Sequence, residues 1–471
     1  MSNQSTSQLW RLGLRERRSF LIFGDFLVGI FSLIAALYVW ASNGEWLGFS
    51  LAFLQERVDS WFYILPLVWL LLMVELYDPH RAASRKHVFR GIIAATGIGF
   101  VLYLVVYFAA NSPLPRRGVA TFLGFTSLLT LMWRLIYIQI FTKSQFMRRV
   151  LLVGAGHSGE MILNIINNIT PKPFELVGVI DDDPEKRDKK IAGYTVIGDS
   201  RQLIATTNDE QITDIIVAIS GEMLGSTFQA ILDIQEQGVE ITRMPIIYEE
   251  LVGRVPIKML DSDWILRSFV DEFRVSGFYE MLKRLIDILG GLVGVLLMAF
   301  FLPWIALLTI IDDGLPVLYF QERLSKGARP YNIIKFRTMR KDAEEDGRPQ
   351  LASEDDDRAT RVGRILRKTH LDELPQFINV LRGEMSLVGP RAERPELVEK
   401  FQRKIPFYRA RLLVKPGVTG WAQVNFGYAA TTDETLRKLE YDLYYIKRRN
   451  ILLDMLIVLR TPATMLGMKG Q

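Results

Sequence analysis

Two adjacent carboxylates, Asp372 and Glu373, lie among cations: Arg364, Arg367 and Lys368 precede them, and Arg382 and Arg391 follow. One acid at such a place would read as a helix cap. Two acids ringed by bases, at a helix N-terminus, suit phosphate and Mg²⁺ chemistry. Proline is tolerated in a first helical turn, so Pro375 predicts a helix opening near Leu371–Asp372. Leu371, Leu374, Phe377, Ile378 and Leu381 recur at helical spacing and form one apolar face. The acids then stand at a helix entrance, where unbonded N–H groups favour anions. SLVGPR follows, a Gly-Pro turn that delivers Arg391.

The rest of the chain must position this stretch. Its 471 residues allow two or three domains, and a hydrophobic fraction of 49% points to membrane segments. Cysteine is absent, which excludes a disulfide framework, a thiolate nucleophile and a cysteine-based zinc site. A net charge of +5, with no basic run interleaved with aromatics, argues against nucleic acid as a partner.

Residues 1–18 are polar and end in Arg15, Arg17 and Arg18. The apolar run from Phe20 to Trp40 is too long for a signal-peptide core and reads as a first membrane helix. Three more spans are predicted, at about 61–77, 91–110 and 118–141, giving a four-helix transmembrane bundle over 1–147. Basic residues cluster before the first helix, between the second and third, and after the fourth. The positive-inside rule therefore puts both ends of the bundle in the cytoplasm.

From residue 148 the pattern changes. VLLVGAG is a buried strand entering a glycine turn, HSGEMILNIINNI an amphipathic helix, and FELVGVIDDDP a second strand ending in acids. This βαβ unit carries G-x-G-x-x-G at Gly154, Gly156 and Gly159, with Asp181 where a ribose-binding acid would sit. Residues 148–250 are read as an α/β Rossmann-like, doubly wound domain. The motif fits an unidentified nucleotide, or equally a tight turn with no ligand. A reductase would need Tyr-x-x-x-Lys. The one match, Tyr331 to Lys335, lies in a segment that alternates like a strand, and is read as coincidence.

Residues 251–278 read as a linker, and 282–312 form a fifth apolar run. Hydropathy alone favours a plain crossing. However, Pro303 would break a helix there, and a crossing would export everything after it. A helix that enters one leaflet, bends at Pro303 and returns keeps the remainder inside, with Lys283 and Arg284 anchoring the side of insertion. Beyond it, two strands joined by a turn at Lys326-Gly327 precede a charged stretch at 340–360. After 361–391 come a helix in RPELVEKFQRKI, the glycine-rich KPGVTGWAQV, and an amphipathic helix in ETLRKLEYDLYYIKRRN. ILLDMLIVLRTPATML suits a core helix or an interfacial one equally.

The blocks KRLIDILGGLVGVLL, YNIIKFRTM, RKTHLDELPQFINVLRGEMSLVGPR, KPGVTGWAQVN and YDLYYIK, in this order, resemble the bacterial sugar transferases, the polyprenyl-phosphate hexose-1-phosphate transferases. The layout is similar to the large members, the undecaprenyl-phosphate glucose phosphotransferases among them. One departure is Leu302-Pro303, where many members have Ser-Pro. The resemblance implies a multidomain membrane protein: a four-helix bundle, a Rossmann-like domain, and an α+β catalytic domain over 279–471 with a re-entrant membrane helix. It implies Asp372 as nucleophile toward the β-phosphate of a UDP-sugar, glucose first and galactose second. UMP would leave, and polyprenyl phosphate would attack the phospho-sugar–enzyme intermediate. Glu373 would help Asp372 hold Mg²⁺, and Lys335, Arg337, Arg367 and Arg391 would hold phosphates. Asp442 is grouped with them as a family-matched position whose role the sequence does not supply. A homodimer is compatible with the layout. Competing readings are a membrane-tethered NAD(P)-dependent nucleotide-sugar oxidoreductase and a non-catalytic scaffold.

Overall fold

The computed structural model describes residues 14–42, 48–109, 116–141, 147–259, 276–340, 357–427 and 431–465. Most of the charged stretch at 340–360 and the later part of the expected linker lie outside the described residues. The chain divides into two compact units, residues 1–247 and 248–471.

The first unit opens with α1 (Leu14–Ser42), α2 (Leu65–Leu72), α3 (Arg85–Ala109) and α4 (Arg116–Phe141). Helices α1, α3 and α4 are long and apolar enough to cross a membrane. The expected second span is not one helix. Ser60–Ile64 and Val74–Tyr77 are 3-10 turns flanking the eight residues of α2. Pro66, in the first turn of α2, would clash with the Phe62 carbonyl of a preceding α-helix, so the chain ahead of it tightens. Within the bundle, Arg134 pairs with Asp25 at 2.5 Å and donates to the Leu76 carbonyl at 2.9 Å. Trp69 donates to Thr130 Oγ1 at 3.1 Å. These bonds fasten the broken second element to its neighbours.

The same unit holds the expected α/β domain. β1 (Arg149–Val153) leads into α5 (His157–Asn168) and β2 (Glu175–Ile180). β3 (Lys190–Ile191), β4 (Tyr194–Gly198), β5 (Asp214–Val217), α6 (Gly225–Glu236) and β6 (Glu240–Arg243) complete it. Sheet order is β3-β4-β2-β1-β5-β6, parallel except for the short β3. Val/Ile/Leu runs buried on both faces suit such a sheet.

The second unit is built on one long helix. After α7 (Met244–Val252), α8 runs from Gly277 to Asp313. It is unbroken through Pro303, so the interruption expected there is absent. Ser276 caps its start and Gly314, at φ +73°, its end. Gly290, Gly291 and Gly294 notch one flank, where a Cβ would collide with Leu387, Leu381 and Phe377 respectively. Lys283 and Arg284, expected as membrane anchors, are turned inward. Lys283 bonds to the Val388 carbonyl at 3.1 Å, and Arg284 to the Val380 and Leu381 carbonyls at 2.9 and 2.8 Å. The far end is held too, by Val362 N donating to Asp312 at 2.8 Å. Ile305 packs with Phe336 and Leu366. The opposite flank, from Phe278 to Ile311, is an exposed apolar stripe.

β7 (Leu318–Leu324) and β8 (Pro330–Phe336) pair antiparallel across a turn containing Gly327 at φ +71°. Then come α9 (Arg361–Lys368), α10 (Gln376–Arg382), β9 (Ser386–Val388) and α11 (Pro395–Gln402). β10 (Gly417–Thr419), α12 (Trp421–Asn425), α13 (Thr432–Arg448) and α14 (Ile451–Met465) close the chain. β9 and β10 pair in parallel. α13 opens with a capping box between Thr431 and Glu434. Asp454 of α14 is buried, accepting from Tyr445 at 2.8 Å, Tyr279 at 3.0 Å and Lys283 at 3.0 Å. That side of α14 is core.

The start of the expected linker belongs to this unit. Val255 and Ile257 lie in its core, Trp421 Nε1 donates to the Gly253 carbonyl at 2.7 Å, and Glu249 pairs with Lys447 at 3.0 Å. The apolar alternation of VPI is too short to announce this docking.

Candidate active site

Three pieces of the second unit meet at the acidic pair. A 3-10 turn at Leu371–Glu373 carries the acids, β8 presents Lys335, and the turn after β9 returns Arg391, while Arg367 stands in the last turn of α9. The helix expected to open at Leu371 opens at Gln376. Begun at Leu371, it would set the Pro375 ring against the Leu371 carbonyl, so the chain first takes a tighter turn. His370, at φ +55°, swings the chain into that turn.

Asn379 locks the arrangement. Fully buried on α10, it accepts from Ile334 N at 3.1 Å and donates to the Asn332 carbonyl at 2.9 Å, closing the free edge of β8. Sequence reading passed over it. Its signal is a polar residue flanked by Phe377, Ile378, Val380 and Leu381.

The two carboxylates differ. Glu373 Oε1 accepts from Lys335 Nζ at 3.0 Å and from Arg391 Nη2 at 2.9 Å. Burial pushes its carboxyl up, yet Arg391 and Lys335 outweigh that and hold it well below the usual carboxylate range. Asp372 is equally buried but has no ion-pair partner among the described residues. Burial raises its carboxyl, opposed by the Lys335 charge and reinforced by that of Glu373. Glu373 in turn raises Arg391, whose half-exposed side chain faces solvent.

Arg367 donates through Nε to Thr338 Oγ1 at 3.1 Å. Arg337 goes elsewhere: Nη2 bonds the Asp313 carbonyl at 3.1 Å and the Gly314 carbonyl, completing the C-terminus of α8. Asp442 is likewise engaged away from the acidic pair: it is buried, and its Oδ2 accepts from Arg411 Nε at 2.8 Å. Tyr331 is buried in the core and Lys335 is engaged by Glu373, so that pair assembles no reductase centre.

No group of three or more His, Cys, Asp or Glu side chains able to hold a metal occurs among the described residues. Two adjacent carboxylates beside cations do not make an all-protein cage. They would suit Mg²⁺, an ion held by one or two carboxylates that keeps several of its waters.

In the first unit, Gly154, Gly156, Gly159 and Asp181 come together. Gly154 has φ +104°, and a Cβ on Gly159 would strike the Gly154 carbonyl. A Cβ on Gly156 would meet nothing within 4 Å. Asp181 does not reach outward: Oδ2 accepts from Ala155 N at 2.5 Å and Oδ1 from Asp183 N at 2.9 Å, with Lys186 at 3.3 Å.

The model of the "Bacterial sugar transferase" family matches residues 278–468, and that of a "CoA-binding domain" matches 73–245. Among curated relatives, the UDP-N-acetylgalactosamine-undecaprenyl-phosphate N-acetylgalactosaminephosphotransferase of Aeromonas hydrophila is 44% identical over 220 residues, 47% of this chain and 51% of that one. The undecaprenyl-phosphate glucose phosphotransferase of Komagataeibacter xylinus is 32% identical, covering 67% of this chain and 58% of its own. The UDP-glucose:undecaprenyl-phosphate glucose-1-phosphate transferase of Escherichia coli K12 is 32% identical over 329 residues, 67% of each chain. The matches thus span about half to two thirds of the length of these relatives. With the sugar transferase signature laid over the whole neighbourhood of Asp372 and a relative matched over two thirds of its length, the chain belongs to the bacterial sugar transferase family.

Proposed function

We propose that this membrane protein transfers a sugar-1-phosphate from a UDP-sugar to undecaprenyl phosphate, an early membrane step in building a surface polysaccharide. The observation that carries the reading is the unequal treatment of the two acids. Glu373 takes both nearby cations, while buried Asp372 is left without an ion pair and so keeps an oxygen for attack. Asp372 attacks the β-phosphorus, the bond from that phosphorus to the bridging oxygen breaks, and UMP leaves with the electron pair. An oxygen of the lipid phosphate then attacks the aspartyl-linked phosphorus, and Asp372 departs as carboxylate. Lys335, Arg367 and Arg391 bind phosphate oxygens and offset the charge between donor and nucleophile. Asp372 and Glu373 would hold Mg²⁺, which when bound neutralises diphosphate charge and favours departure of UMP.

The placement of α8 supports a one-sided membrane element. Both its ends and much of one flank engage a single polar unit, while the other flank is apolar and exposed. Standing across hydrocarbon, it would carry that unit's charged residues into lipid. The catalytic unit therefore stays on the cytoplasmic side, where UDP-sugars are made, and α8 dips into the adjacent leaflet. The relatives' names favour glucose or N-acetylgalactosamine as the sugar, and galactose remains in the panel.

The test is UMP release by the full-length protein with undecaprenyl phosphate and a panel of UDP-glucose, UDP-galactose and UDP-N-acetylgalactosamine. One sugar should support turnover, and Asp372→Asn should abolish both turnover and the trapped phospho-sugar–protein adduct. Normal turnover by Asp372→Asn would overturn the nucleophile assignment.

A further inference from the structure

Arg391 is carried on the turn after β9, and the main chain of that turn is held at four successive carbonyls. The Pro390 carbonyl accepts from Gly417 N at 2.9 Å. The Arg391 carbonyl accepts from Arg411 Nη2 at 3.1 Å, the Ala392 carbonyl from Arg323 Nη1 at 3.0 Å, and the Glu393 carbonyl from Leu324 N at 3.2 Å. Arg411 is buried, and its other groups are engaged as well: Nε on Asp442 at 2.8 Å, Nη1 on Tyr408 at 2.8 Å and on Glu393 at 3.3 Å. Lys438, one turn before Asp442 on α13, also approaches Glu393, at 3.5 Å.

We propose that Arg411 and Arg323 are positioning residues that fix the 390–393 turn so that the Arg391 guanidinium meets Glu373 and the donor diphosphate, with Asp442 and Glu393 orienting Arg411. The chain of contacts runs from α13 through Asp442 and Arg411 to the Arg391 carbonyl, and from the Arg391 side chain to Glu373. Its logic is orientation: a guanidinium fork displaced by about 1 Å can forfeit about 100-fold in rate. Asp442 acts on Arg391 through Arg411, which accounts for a polar position in YDLYYIK that faces the core. Lys438, Arg411 and Arg323 hold the partly buried Glu393 carboxyl down at about 2 against the cost of its burial, which keeps an anion facing Arg411.

The inference rests on the transferase reading of Arg391, and a double-mutant cycle separates the two. UMP release is measured on full-length Arg391→Ala, Arg411→Gln and the double variant, with folding followed by thermal melting. Arg411→Gln alone should lower kcat/KM for the UDP-sugar by about 10- to 100-fold, chiefly through KM, and Arg411→Lys should recover part of the loss. In the Arg391→Ala background the same change should cost less than about threefold, because nothing is left to aim. Multiplicative losses in the double variant, or an unchanged KM in folded Arg411→Gln, would overturn the positioning role while leaving the transferase reading intact. Should Arg411→Gln fail to fold, Arg323→Lys, which acts on the Ala392 carbonyl from β7, decides by the same cycle. Wild-type protein that releases no UMP with any donor would overturn the parent reading instead.

Discussion

The Lys335–Glu373 contact gives the sharpest quantitative test of the site. Lys335 Nζ lies 3.0 Å from Glu373 Oε1, with side chains only 19% and 11% exposed. A hydrogen bond between such charged groups contributes about 1.5–3 kcal/mol, and a wholly buried pair loses more when one partner goes. Here Arg391 shares the same oxygen at 2.9 Å, so Lys335→Met leaves Glu373 partly compensated. Glu373→Gln leaves two cations facing a neutral amide, and each single change should destabilise by about 1–3 kcal/mol. In the double variant neither charge is stranded by the other, so the combined loss should fall short of the sum by about 1–2 kcal/mol. The assay is denaturant unfolding of the full-length protein in nanodiscs, read by tryptophan fluorescence in the four backgrounds. Additivity within about 0.5 kcal/mol would mean that Lys335 and Glu373 do not touch, and the division of labour between the two acids would fall with it.

Three further outcomes are expected. Gly363→Ala places a Cβ against the Thr338 carbonyl, so it should destabilise by about 1–3 kcal/mol and raise the donor KM by displacing the Thr338 hydroxyl that holds Arg367. Burial lifts Glu440 to about 7 despite Arg254 at 3.3 Å, so the folded state binds a proton that the unfolded state releases above its ordinary 4.5. Stability should therefore decline as pH rises from 4.5 to about 7, and Glu440→Gln should flatten that decline in melting temperature against pH. Chelation of divalent cations should stop UMP release, and Mg²⁺ should restore it without a change in melting temperature large enough to signal refolding.

Much of the site was legible because its chemistry is local. Asp372 and Glu373 are neighbours in the chain, and Lys335 lies in an alternating run that could only be a strand. The turn at Lys326-Gly327 is marked by its glycine. The destinations of the other charges were not legible. Arg337 and Lys335 sit two residues apart on one strand, but β8 ends between them, and Arg337 turns to the carbonyls at the end of a helix begun sixty residues earlier. Asp442 looked like a ligand because its partner Arg411 is thirty-one residues away, in a 3-10 segment with no periodicity to reveal which side faces inward. Pro375 misled: it was read as compatible with a helix opening at Leu371, whereas the ring's clash with the carbonyl four residues back makes it a starting point. The glycines at 290, 291 and 294 passed unnoticed in a run that hydropathy treats as uniform.

That glycine notch makes the long helix and the enzyme one object. Phe377, Leu381 and Leu387, which fill it, belong to the same short stretch that carries the acids. A shortened chain beginning after Asp313 would strip the cover from these side chains and from the Val380 and Leu381 carbonyls that Arg284 satisfies. Such a fragment would meet water with a greasy trough directly behind its reactive centre and would be expected to clump and lose activity rather than yield a soluble enzyme. Solubilising this protein is thus a matter of shielding the outer flank of the helix, since the inner flank is packed into the unit that carries Asp372 and Glu373.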